Sequence, residues 1–72
     1  MERFTSNGKP YYNRFNTISE ISKKLTSMGY NPEETFDIAL GTVRILEEIG
    51  IIETIDGGVA EWFVVQNWEK MF

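Results

Sequence analysis

The stretch from Asn31 to Gly50 restricts the fold of this chain more than any other. Asn31-Pro32-Glu33-Glu34 offers a side chain able to cap free amides and a proline where a helix tolerates one. Two acids there face the positive end of the helix dipole. The pattern predicts a helix from Pro32 to Ile49, stopped by Gly50. At about 100° per residue, Phe36, Ile38, Ala39, Leu40, Val43, Ile45, Leu46 and Ile49 share one broad arc that encloses Thr35 and Thr42. The complementary arc holds Glu33, Glu34, Asp37, Gly41, Arg44, Glu47 and Glu48. So wide an apolar arc predicts a helix buried on most of its circumference, at the centre of the fold.

A shorter helix precedes it. Thr17 is placed to cap the free amides, with Glu20 three residues on to complete a capping box. Ile18, Ile21, Leu25 and Met28 follow on one face, and Gly29 is the stop. Upstream, Ser6-Asn7-Gly8-Lys9-Pro10 reads as a turn, and residues 10–14 as a short extended stretch. Downstream, Ile51 to Ile55 and Glu61 to Val65 read as strands joined by Asp56-Gly57-Gly58, a hairpin signal. Trp62 and Phe63 then point to opposite faces.

Such a chain has little core to spend. A domain of 72 residues buries only about 60% of the surface its unfolded form exposes. Cys and His are both absent, which excludes disulfides, zinc sites, thiol nucleophiles and every His-based catalytic arrangement. Stability must come from packing, and the hydrophobic fraction of 42% with 14% aromatics suits that. A second copy would help, since small cores gain most from oligomerisation. The tail contributes Trp68, Met71 and Phe72, too apolar for a solvated end. It is expected to fill a gap in its own core or to pack across a two-fold axis as a homodimer, the arrangement favoured here.

The net charge of −4 conceals an asymmetry. Residues 1–24 carry five bases against two acids, a balance of +3; residues 25–72 carry two against nine, a balance of −7. Opposite signs in the two parts predict two different surfaces. No stretch of 18 apolar residues and no leader is seen, so no membrane partner is expected.

Extended stretch, helix, short turn, longer helix and Gly-tipped hairpin follow the order of a winged helix-turn-helix with a shortened first helix. The chain reads as one α+β domain over residues 1–72. Asn7-Gly8-Lys9, Ile18 to Leu25, Thr42 to Glu53, Asp56-Gly57 and Asn67-Trp68-Glu69-Lys70 resemble the N-terminal domain of phage replisome organiser proteins. Related winged helices occur in DnaD-type primosomal proteins. The resemblance spans about residues 6 to 70. It implies a non-catalytic replication-initiation module of a phage or mobile element, working in the cytoplasm of a bacterial host on DNA or a replication or host protein. Members usually carry a complete first helix before Asn-Gly-Lys; here only Met1 to Thr5 remain of it.

Charge decides where each partner would sit. A DNA footprint needs cations, so it falls on Arg3, Lys9, Arg14, Lys23 and Lys24, with Tyr11 and Tyr12 between them. Arg44 could reach a guanine, although Glu47 and Glu48 one turn on favour an intrahelical salt bridge. The outward arc of the long helix is otherwise acidic and would be repelled by a duplex. A protein partner would instead use Glu33, Glu34, Asp37, Glu47 and Glu48, or the apolar Trp62, Trp68, Met71 and Phe72. Neighbouring carboxylates on one helix do not flank a cleft, and no base is available to activate a hydroxyl. No enzyme and no cofactor is expected.

Overall fold

The computed structural model describes residues 2–66. Strands β1 (Arg3–Ser6) and β2 (Lys9–Asn13) come first, then helices α1 (Arg14–Ser27) and α2 (Pro32–Glu48), then strands β3 (Ile52–Asp56) and β4 (Glu61–Val65). The strands form one antiparallel sheet in the order β1-β2-β4-β3. Two hairpins therefore flank the helix pair in sequence and meet in space where β2 pairs with β4. The fold is α+β, with two helices and a four-stranded antiparallel sheet.

Arg3 to Thr5, in the segment expected to be what is left of a first helix, instead form a strand together with Ser6, which was expected in the turn. Asn7 and Gly8 both adopt left-handed conformations, with φ of 52° and 78°. Two such residues in succession make the turn whose twist matches an antiparallel hairpin. Arg3 then faces Tyr12, and Phe4 faces Tyr11. The Phe4 ring stacks on Tyr11 at 5.1 Å and meets the edge of Trp62 at 4.8 Å, tying β1 to the sheet's outer face.

Helix α1 starts at Arg14 rather than at the expected Thr17 cap. Asn13, the last residue of β2, is the cap: its Oδ1 accepts a hydrogen bond from the Asn16 amide at 2.8 Å. Thr17 lies one turn inside, buried, with Oγ1 donating to the Asn13 carbonyl at 2.8 Å. Strand passes into helix without a linker, which fixes the direction of α1. At the far end Met28 is 71% exposed and drops out of the apolar face to which it was assigned.

The core comprises Ile18, Ala39, Val43, Ile52 and Phe63, with Tyr12, Ile21, Leu40, Leu46 and Val65 packed against it. Between the helices the contact is partly polar. Buried Thr35 donates to the Pro32 carbonyl at 3.1 Å and accepts from Ser22 Oγ at 2.9 Å, with Thr26 Oγ1 at 3.2 Å. Helix α2 is far less buried than its broad apolar arc predicts. Only Thr35, Ala39 and Val43 are fully enclosed, while Ile38, Ile45 and Ile49 are 41%, 57% and 62% exposed. The sheet and α1 reach one side of α2, and the described residues include no second layer for the other.

The β3–β4 hairpin forms as predicted. Asp56 Oδ1 accepts from the Gly58 amide, and the Gly57 amide donates to the Ala60 carbonyl at 2.8 Å. Gly57 is needed for room: a Cβ there would lie 2.9 Å from both the Ala60 oxygen and Trp62 Cδ1. Phe63 faces the core and Trp62 the opposite side of the sheet, as alternation requires.

Candidate interaction surfaces

Among the named basic residues, Arg14 is committed within the fold. Its Nε and a terminal nitrogen donate to Glu47 Oε2 and Oε1 at 3.1 and 3.0 Å, a two-point pairing of planar groups. Thr54 Oγ1 also donates to Glu47 Oε2. The start of α1, the end of α2 and the middle of β3 thus meet on one carboxylate. Hydrogen bonding from Arg14 holds the Glu47 carboxyl below its ordinary range against the opposing effect of burial, and Thr54 adds to it. The same bond holds Arg14 above its ordinary value.

Glu47 is thereby taken by Arg14, and the expected intrahelical salt bridge from Arg44 to Glu47 or Glu48 does not form. Arg44 is exposed, with no ion pair to another described residue, and adds only a weaker electrostatic influence on Glu47. The other cations fall into separate places. Arg3 and Lys9 lie on the N-terminal hairpin, Lys9 next to its turn, while Lys23 and Lys24 occupy the exposed C-terminal half of α1. Arg14 sits at the junction between these groups, with its charge already partnered.

The acids behave differently. Glu33 and Glu34 occupy the first turn of α2, where Asn31 Oδ1 accepts from the Glu33 amide at 3.0 Å. Glu33, Glu34, Asp37 and Glu48 are all exposed, and Glu47 alone is drawn inward. Trp62 is half-buried beneath Phe4 and beside the Gly57 turn. Trp68, Met71 and Phe72 lie outside the described residues.

A groove of about 670 Å³ opens between the start of α1, the middle of α2 and the β3–β4 loop. Phe15, Ile18, Phe36, Leu40 and Val59 give it an apolar lining, and Glu2, Asp56 and Glu61 bring carboxylates to it. Phe15 and Phe36 face each other at 6.2 Å. Among the described residues no group of three acids is placed to hold a metal ion, and no helix is long and apolar enough to cross a membrane.

Asn13 and Thr54 were missed in the sequence. The alternation of Ile52, Glu53, Thr54 and Ile55 could have set Thr54 on the core side with Ile52. Nothing local marks Arg14 as the partner of Glu47, 33 residues away. No family model matches the chain, and neither a curated protein nor a solved structure does.

Proposed function

We propose that this chain is a non-catalytic binding module of winged-helix type that docks a protein partner through the outward face of α2. One observation carries the reading. Glu33, Glu34, Asp37 and Glu48 remain free at the surface of α2, whereas Arg14, central to any basic stripe, is neutralised by Glu47. A helix with that outward charge is repelled by a duplex and attracted to a basic protein surface. The β3–β4 hairpin after the helix pair supplies the wing, and the N-terminal hairpin takes the place of a first helix.

A second reading follows the likeness to replisome organisers: a phage or mobile-element replication module that touches DNA. The exposure of Lys9, Lys23 and Lys24 favours it. Anisotropy of a labelled DNA duplex, titrated with the chain at about 50 and 200 mM salt, separates the two. The protein-docking reading expects no saturable binding. Salt-dependent binding that is lost in Lys23→Glu plus Lys24→Glu overturns it in favour of DNA.

A further inference from the structure

The exposed isoleucines of α2 and of its C-cap, Ile49, are not scattered. Ile38, Thr42, Ile45 and Ile49 are spaced by four, three and four residues, the alternation that keeps side chains in line along a helix facing another helix. From Ile38 to Ile49 is 11 steps along the chain, about 16 Å of helix at 1.5 Å per residue. Ile38, Ile45 and Ile49 are well exposed, and Thr42 donates its hydroxyl to the Ile38 carbonyl at 2.8 Å, so its polar group is satisfied within the helix. One flank of this seam is Ala39 and Leu46, which pack on the protein's own core. The other flank is Glu34, Gly41 and Glu48, each seven residues from the next. Space above Gly41 is open: a Cβ there would meet no atom within 4 Å.

That charged flank selects the occupant. In an antiparallel pair of helices, the outer flanking positions of one face those of the other. A second copy of α2 would set Glu34 against Glu48 at both ends, with no cation opposite. A parallel copy would need Ala39 and Leu46, which are already engaged in the core. A helix with an apolar seam and Lys or Arg on its flank meets neither obstacle and gains an attractive pair at each end. We infer that the Ile38–Thr42–Ile45–Ile49 seam of α2 docks a basic amphipathic helix of a partner protein, with Glu34 and Glu48 receiving its cations. The inference rests on the protein-docking reading above and names the partner's chemistry.

The test uses three labelled peptides of about three heptads, titrated with the intact chain by anisotropy. The first carries Leu along its seam and Lys on both flanks. The second replaces those Lys with Glu. The third scrambles the first so that its apolar residues no longer align. The first is expected to bind, with the other two at least tenfold weaker. Ile45→Asp and Ile49→Asp, both at exposed sites, should each weaken the first peptide at least tenfold, and Glu34→Gln plus Glu48→Gln several-fold. Equal binding of the first and scrambled peptides overturns the seam while leaving an acidic docking face in place. Failure of the first peptide to bind, or its indifference to both Asp variants, overturns the seam as well. Sedimentation showing a dimer dissolved by Ile45→Asp would give the seam to a second copy and also overturn the inference. Failure of the underlying reading is seen separately, in the salt-dependent DNA titration.

Discussion

Replacing Glu47 by Gln keeps its shape and removes the charge on which α1, α2 and β3 converge. In the wild type the Arg14 and Glu47 side chains are 17% and 25% exposed, so the pair is substantially shielded from water. A hydrogen bond to a charged group contributes about 1.5–3 kcal/mol, and stranding one partner of a fully buried pair costs more, about 3–5 kcal/mol. With solvent still reaching both groups, the expected loss at neutral pH is about 2 kcal/mol. For a domain this small that is a large share of a total stability of about 4–11 kcal/mol. It corresponds to about 2 M in the urea midpoint, or about 10 °C in Tm. Arg14→Met should cost a similar amount, and the double variant should cost less than the sum, by about 1–2 kcal/mol of coupling.

The pH dependence has a definite sign. The folded Glu47 carboxyl sits below its ordinary 4.5, so folding favours its ionised form. Its contribution is complete above that ordinary value and is lost as pH falls through the lower folded one. Wild type and Glu47→Gln should therefore differ fully at pH 7 and converge on acidification below about 4.5. Urea denaturation across that range tests both parts. A loss below about 0.5 kcal/mol at pH 7, typical of an exposed pair, would refute the reasoning, as would a difference that does not shrink in acid.

Other perturbations probe separate elements. Thr35→Val keeps volume but strands the Ser22 hydroxyl between the helices, and should lower stability by about 1–2 kcal/mol in the same assay. Gly57→Ala drives a Cβ into the Ala60 carbonyl and Trp62; about 1–3 kcal/mol of loss with altered tryptophan fluorescence is expected, and an unchanged urea midpoint would contradict the close contact. Gly8→Ala forces a left-handed conformation on alanine and should cost about 1 kcal/mol, whereas Gly41→Ala, helical and unobstructed, should stabilise by a few tenths to 1 kcal/mol. Ile45→Ser should change stability far less than Val43→Ala, because the first side chain is 57% exposed and the second 2%.

Local chemistry made several elements legible in the sequence. Asn31-Pro32 and Gly50 marked α2 to within a residue, because caps and stops act over one helical turn. Asp56-Gly57-Gly58 announced the second hairpin for a similar reason. Asn7-Gly8 marks a turn in the sequence, but a turn signal does not say whether the residues before it are strand or helix, and the resemblance points to a helix over Met1 to Thr5. The start of α1 was misplaced because Asn13 both ends β2 and caps the helix, and a capping side chain looks the same whatever precedes it.

Charge and periodicity in the sequence separated an acidic α2 from a basic N-terminal part and left no residues for thiol or histidine chemistry. They could not tell which apolar residues of α2 would be covered. Period 3.6 reports which side chains share an arc, not whether a neighbouring element reaches that arc. Tertiary packing decided this by setting α1 and the sheet against Thr35, Ala39 and Val43, leaving Ile38, Ile45 and Ile49 outside. It also chose Arg14 as the partner of Glu47, since two charges 33 residues apart meet only after helix and sheet are in place. Local interactions wrote the elements; long-range ones sorted apolar and charged groups between structure and surface.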